Sequence, residues 1–272
     1  MKKNFLKVAF KAARLAGKVL MASYGRLQNF QISMKAKNDF VTEIDKKSEK
    51  LIISTIKNYF PDHAIQGEES GVSHGKDILW IIDPLDGTSN YIHNIPIFSV
   101  SIGIMKNNIM KAGVIYDPIH QETFWAEKGK GAYLNKKKIR VTKVRPLSEA
   151  LMATGIPFKA RNRFDEYMES FHKISLGSVG IRRGGSAALD LAYVACGRFD
   201  GFWELDLSPW DIAAGSLIME EAGGIVTDMW GKKDHFKNGD ILASNGLIHQ
   251  ELCQITSKIF TSSTKDKRCL LN

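Results

Sequence analysis

Trp80-Ile81-Ile82-Asp83-Pro84-Leu85-Asp86-Gly87-Thr88-Ser89-Asn90 is an apolar run that ends in two carboxylates three residues apart, with Gly-Thr-Ser immediately behind. Residues 80–82 read as a buried strand. Hydrophobic residues would suffice there for folding, so two acids at the edge of such an element are costly unless a cation compensates them. All-oxygen ligands imply a hard cation, with Mg²⁺ the default. Gly87, Thr88, Ser89 and Asn90 are residues of tight turns and helix N-caps, and the free backbone N–H groups of a helix start make an anion site. Metal ligands beside an anion cradle point to phosphate chemistry. A lone Asp-x-x-Asp-Gly also reads as a strand followed by an ordinary turn, so the decision falls to other acids in the chain.

Two further acidic motifs shift the balance. Upstream, Gly67-Glu68-Glu69-Ser70 follows the apolar Ala64-Ile65, a short strand that would deliver Glu68 or Glu69 to a loop end. Alone, that turn reads as solvated surface. Downstream, Trp203-Glu204-Leu205-Asp206-Leu207-Ser208-Pro209-Trp210-Asp211 leads into an apolar-periodic segment that closes at Gly223-Gly224. Asp211 therefore sits near a helix N-terminus, where it is equally placed to cap the helix.

Together the three motifs resemble the inositol monophosphatase family, most closely its bacterial SuhB-type branch. The family's Asp-Pro-hydrophobic-Asp-Gly-Thr motif stands at 83–88, its Gly-Glu-Glu at 67–69, and its Trp-Asp-hydrophobic-Ala-Ala-Gly and Glu-Ala-Gly-Gly at 210–215 and 221–224. The resemblance covers nearly the whole chain. It implies a mixed α/β fold, a five-layer αβαβα sandwich of the sugar phosphatase type. It also implies Mg²⁺-dependent hydrolysis of inositol monophosphate, with two to three ions per subunit, Li⁺ sensitivity and a homodimer.

The resemblance also assigns roles. Glu68, Asp83 and the Leu85 carbonyl would hold one ion, and Asp83, Asp86 and Asp211 a second, with a third near Glu68. Gly87 and Thr88 would receive the phosphate. Glu204 would bind a substrate hydroxyl, and Gly185, Ser186 and Ala187 would line the cyclitol site. Asp45 would orient the Thr88 hydroxyl for proton relay; its own surroundings also suit a cap for the helix over 46–59.

Composition is consistent with this reading. At 272 residues and 44% hydrophobic, the chain can bury a sizeable core, and two subdomains are expected, 1–145 carrying most metal ligands and 146–262 completing the site. The Lys/Ser/Thr-rich tail is expected to fray from Ser257, with 263–272 flexible. Three cysteines, Cys196, Cys253 and Cys269, have no metal spacing, and their odd number argues for a reducing cytoplasm. Lys7, Lys11, Arg14 and Lys18 interrupt any signal-like apolar run, and no segment is long enough to span a membrane. The terminal Cys269-Leu270-Leu271-Asn272 resembles a prenylation box with an atypical last residue. The net charge of +9 suits attraction of phosphorylated substrates. The basic stretch from Lys136 to Arg145 reads as a solvated hairpin turn and strand edge, and no nucleic-acid-binding motif is present.

Periodicity predicts helices over 4–23, 43–59, 161–175, 185–197 and 210–222. Strands are expected over 64–66, 78–82, 97–105, 110–117, 122–128, 150–154, 200–203, 225–227 and 241–244, with the first half antiparallel in part. P-loop, nucleophile-elbow and His-Glu-x-x-His signatures are absent. Gly184-Gly185-Ser186-Ala187 lacks dinucleotide spacing, and His93 is read as a loop-packing residue. Fructose bisphosphate, phosphoadenosine phosphate and NADP remain alternative substrates. A partner of the transcription antitermination machinery is the non-enzymatic alternative, because the bacterial branch includes members that associate with that machinery.

Overall fold

A computed structural model describes residues 4–26, 32–36, 39–157 and 160–261. Helix α1 (Phe5–Ser23) starts at Asn4, whose side chain accepts from Lys7 N, and is followed by β1 (Ile32–Ala36), β2 (Asp39–Thr42) and α2 (Glu43–Tyr59). Then come β3 (Ala64–Gly67), β4 (Gly71–Ser73), β5 (Ile78–Asp86), α3 (Thr88–Ile92), β6 (Ser99–Lys106), β7 (Ile109–Asp117), β8 (Glu122–Glu127), β9 (Ala132–Leu134) and β10 (Lys137–Ile139). The second half runs β11 (Leu151–Thr154), α4 (Phe164–Gly177), β12 (Gly180–Arg182), α5 (Ala187–Ala195), β13 (Gly201–Glu204) and α6 (Pro209–Glu221). It ends with β14 (Ile225–Thr227), α7 (His235–Asn238), β15 (Ile241–Ser244) and α8 (His249–Ile259).

Strands β3 to β10 form one eight-stranded sheet in the order β10-β9-β8-β7-β6-β5-β3-β4, antiparallel except where β3 runs parallel to β5. A second sheet has the order β12-β11-β13-β15-β14. Alternation along the strands separates three apolar cores. Trp80 and Ile82 of β5 face α1 and α2, while Leu79 and Ile81 face the other way, toward α5 and α6. In the second sheet Ala153, Phe202 and Ala243 point at α5 and α6, and their neighbours Met152, Trp203 and Leu242 point at α4 and α8. The result is five layers, helices–sheet–helices–sheet–helices, as the family resemblance implies.

The central layer explains why α6 has no polar stripe: Ile212 to Met219 is buried on every side, between two sheets. Its approach to the large sheet is close enough that a Cβ on Gly113 would come 2.9 Å from Ala214 Cα.

The elements predicted from periodicity are found, with shifted ends. The helix expected over 161–175 begins at Phe164, after a 3-10 turn at Arg161–Arg163. The basic stretch is the hairpin β9–β10, with β10 the outer strand of its sheet, where lysines discourage edge pairing. The expected fraying from Ser257 is corrected, because α8 continues to Ile259. Thr256 Oγ1 donates to Met229 O at 2.7 Å, and Phe260 is buried with Arg163 over its ring and Trp230 Nε1 donating to its carbonyl oxygen at 2.8 Å. Polar composition concealed an apolar face made by Leu252 and Ile259. The expected flexible tail 263–272 and the Cys269 motif lie outside the described residues. Cys196 and Cys253 are free thiols. No helix among the described residues is long and apolar enough to cross a membrane.

Candidate active site

Two residues three apart in a regular strand point to opposite faces, so Asp83 and Asp86 could not both reach one site from an unbroken β5. The strand solves this with a bulge: Asp83 pairs with Ser101 and Asp86 with Ser99, so three steps on β5 oppose two on β6. Pro84, which has no N–H to give the ladder, sits inside the bulge. The extra residue resets the alternation, and both carboxylates line the same cleft. Asp83 Oδ1 accepts from Leu85 N at 2.9 Å, which fixes its rotamer.

Several chain segments distant in sequence converge on this cleft. Glu68 comes from the turn between β3 and β4, with its N–H bonded to Ile82 O at 3.2 Å. Gly87, Thr88 and Ser89 enter where α3 begins; Gly87 has φ of 92°, and a Cβ there would come 2.9 Å from Ile97 O. Glu204 closes β13, and Asp211 lies in the first turn of α6. Asp211 also caps its helix, since Ser208 N donates to its Oδ2 at 2.6 Å. The cap and the cleft position are therefore held by one side chain. The cleft offers about 130 Å³, roughly the volume of four waters at ~30 Å³ each.

Three predicted residues sit differently from their neighbours. Ser186 is buried and does not line the cleft; its hydroxyl donates to Asp86 Oδ2, while Gly185 and Ala187 on either side do line it. As the N-cap of α5 it must turn inward to accept from Leu189 N. Asp86 Oδ2 also accepts from Ala188 N at 2.9 Å, so the start of α5 is docked on an acid 102 residues upstream. Asp45 reaches the site through Thr88, whose Oγ1 lies 3.2 Å from its Oδ1 and 3.0 Å from Leu85 O. His93 is exposed at the end of α3, away from the cleft lining.

The electrostatics are those of crowded like charges. Burial raises the Asp83 carboxyl well above the usual range, and the charges of Glu68, Asp86 and Asp211 raise it further. Burial and Asp211 lift Asp86 to about 7 against the pull of its Ser186 and Ala188 bonds. Glu204 is pushed well up by burial, then by Asp190 and Asp211, with Arg183 opposing. Asp190, buried on α5, is raised in the same way, by burial first and then by Asp86. Asp190 and the cleft-lining Arg183 went unnoticed in the sequence, where they look like a helix residue and surface charge. Among the described residues, no three His, Cys, Asp or Glu side chains are already drawn into a coordination group. Glu68, Asp83, Asp86 and Asp211 share one cleft and repel one another in it. Their donor chemistry, all oxygen, with Asp83 and Asp86 buried and Glu68 and Asp211 half-buried, fits a hard divalent cation.

The Inositol monophosphatase family matches residues 1–260. The chain belongs to the inositol monophosphatase family. It is 44% identical over 246 residues to the Nus factor SuhB of Pseudomonas aeruginosa, covering 88% of this chain and 91% of that protein. The Nus factor SuhB of Escherichia coli is 45% identical over 242 residues, with the same shares. Among solved structures, the extragenic suppressor protein suhB of Bartonella henselae superposes with a TM-score of 0.91 at 42% identity, covering 94% of this chain and 99% of that one. The inositol monophosphatase of Anabaena superposes with a TM-score of 0.85, also at 42% identity, over 94% and 96% of the two chains. Membership places the protein among phosphatases and makes the acidic cleft its candidate catalytic centre.

Proposed function

We propose that the protein is a Mg²⁺-dependent phosphate monoesterase that hydrolyses inositol monophosphate to inositol and phosphate. The observation that carries this reading is the convergence of Glu68, Asp83, Asp86 and Asp211 on one cleft, with Gly87 and Thr88 beside them and Glu204 in the same lining. Glu68, Asp83 and the Leu85 carbonyl would hold one ion, Asp83, Asp86 and Asp211 a second, and a third would sit near Glu68. When bound, such ions make water a better nucleophile and neutralise charge on the leaving oxygen.

The chain's own residues do the rest. Thr88 Oγ takes a proton from the attacking water as it passes its own to Asp45 Oδ1, along the contact between them. A hydroxyl has one proton to donate, so a Thr88 bonded to Asp45 leaves the Leu85 carbonyl oxygen for a ligand role. The backbone of Gly87 and Thr88 receives the phosphate. Glu204 accepts a hydrogen bond from a ring hydroxyl and thereby selects a polyol, with Gly185 and Ala187 shaping the adjoining wall. The protein is proposed to work as a cytoplasmic homodimer.

Phosphate release from inositol 1-phosphate, fructose 1,6-bisphosphate, phosphoadenosine phosphate and NADP, each with and without Mg²⁺, tests the assignment. Mg²⁺-dependent turnover confined to the inositol ester supports it. Preference for another ester keeps the metal chemistry and discards the inositol assignment.

Relatives that carry the name Nus factor SuhB favour a second reading, in which the chain also serves as a partner of the transcription antitermination machinery. Asp83→Asn separates the two. If that variant still rescues a deletion strain, turnover is not the essential role.

A further inference from the structure

Helix α2 docks on the large sheet through Ile44, Ile52 and Ile56. The same buried side also carries Asp45, Ser48 and Glu49, which are 1%, 0% and 3% exposed. Their i, i+3, i+4 spacing puts them on one face. Apolar residues would hold the helix without the cost of burying two carboxylates. Each of the three instead bonds to a residue that lines the cleft or stands next to one that does. Asp45 accepts from Thr88, Ser48 Oγ donates to Pro84 O at 2.9 Å inside the β5 bulge, and Glu49 Oε1 accepts from Glu69 N at 3.0 Å.

The Glu49 contact bears directly on Glu68. The Glu68 N–H is tied to Ile82 O, one residue before Asp83, and the next N–H along the chain is tied to Glu49. The turn that presents Glu68 is thus pinned on one side by β5 and on the other by α2. Gly67 makes room for this. A Cβ there would lie 2.0 Å from Glu49 Oε1 and 2.8 Å from Ser70 Oγ. Gly67 does not have a left-handed backbone, so alanine would be tolerated by the backbone itself and would disturb chiefly the carboxylate.

We propose that Glu49 is a positioning residue: by holding the 67–70 turn it sets the Glu68 carboxylate against Asp83 for binding of a divalent cation. The proposal rests on the cation-site reading above and adds to it a residue that never touches the ion. A purely structural Glu49 would affect stability and leave cation affinity alone.

The test uses the full chain and Mn²⁺ as the probe, with free Mn²⁺ read by electron paramagnetic resonance, melting temperature recorded in parallel, and the Mg²⁺ activation curve of phosphate release measured alongside. Glu49→Ala is expected to weaken Mn²⁺ binding by about 10- to 100-fold, as loss of a group that orients a metal ligand does. The Mg²⁺ needed for half-maximal rate should rise in step, while KM for inositol 1-phosphate at saturating Mg²⁺ stays near wild type. Glu49→Gln keeps an oxygen acceptor for Glu69 N and should recover most of the affinity. Gly67→Ala should reproduce the defect and add nothing in the Glu49→Ala background. Wild-type Mn²⁺ affinity in Glu49→Ala overturns the proposal, as does full additivity of the two substitutions. If Glu49→Ala fails to fold, Gly67→Ala decides alone: wild-type affinity overturns the proposal and weakened affinity with an unchanged melting temperature supports it. A wild-type protein that binds no Mn²⁺ sinks the cation site itself, whereas a binding wild type with unaffected variants sinks only the role of Glu49.

Discussion

Thr88 Oγ1 lies 3.2 Å from Asp45 Oδ1 and 3.0 Å from the Leu85 carbonyl oxygen, one hydroxyl between two acceptors. Its proton can go to only one of them, and the carboxylate is the stronger acceptor. In the proposed reaction that choice would make Thr88 the proton carrier and would leave Leu85 O available to a cation.

Removing either end of this relay should slow turnover with little change in substrate affinity. Thr88→Val and Asp45→Asn are each expected to lower kcat by about 10²- to 10⁴-fold, the range for general acid–base groups, while Thr88→Ser retains most of the rate. Steady-state kinetics on inositol 1-phosphate check this. Equal rates for Thr88→Val and Thr88→Ser would remove the hydroxyl from the mechanism.

Asp83→Asn should abolish turnover and raise the melting temperature of the metal-free protein. The asparagine oxygen can still accept from Leu85 N, and the substitution removes a buried charge that faces Glu68, Asp86 and Asp211. Strain of this kind at a functional site is relieved when function is lost. Thermal melts in chelator read the effect; a lower melting temperature would show that the acid stabilises the apo fold.

Mg²⁺ should stabilise the protein more at pH 8 than at pH 6. Asp86 titrates at about 7, raised by burial and by Asp211. Protons therefore compete with the cation as pH falls through that value. Without metal the sign reverses: a carboxyl raised in the fold contributes stability as pH falls from about 7 toward its ordinary range. Melts with and without Mg²⁺ across pH 6–8 test both halves. An increment that does not depend on pH would take Asp86 out of the site.

The acid pair of the opening motif was legible because Asp83 and Asp86 end an apolar run, and the αβαβα layering followed from the family resemblance. What the motif did not disclose is the device that lets both acids face one way, since the bulge at Pro84 is visible only once β6 is paired against β5. The docking of α5 on Asp86 was hidden for a similar reason, because Ser186 and Ala188 lie 100 and 102 residues away in sequence. Glu49 was missed because a glutamate in a lysine-rich helix looks solvated; only the docking of α2 turns it inward. Helix α8 did carry a signal, Leu252 and Ile259 at helical spacing, masked by the polar residues between them.

Two buried histidines should govern acid unfolding. Burial lowers both His235 and His249 to about 4, and His249 is held between Thr227 Oγ1 at 3.0 Å and Ser244 Oγ at 2.9 Å. Their folded values lie below the unfolded one near 6.5, so their contribution is present above that pH and lost as pH falls toward about 4. The slope is on the order of 1.4 kcal/mol per pH unit for each ring within that window. Chemical denaturation of His249→Gln should give a shallower loss than wild type between pH 6.5 and 4. Parallel pH profiles for the two proteins would contradict this.

Cation-dependent catalysis at Asp83 is read most directly from the initial rate of phosphate release from inositol 1-phosphate as Mg²⁺ is titrated into metal-free protein, for wild type and Asp83→Asn together. A cation centre built on Asp83 gives a wild-type rate that rises from background and saturates with Mg²⁺, and a variant that stays at background throughout. A wild-type rate that ignores Mg²⁺, or an Asp83→Asn variant that turns over normally, would contradict it.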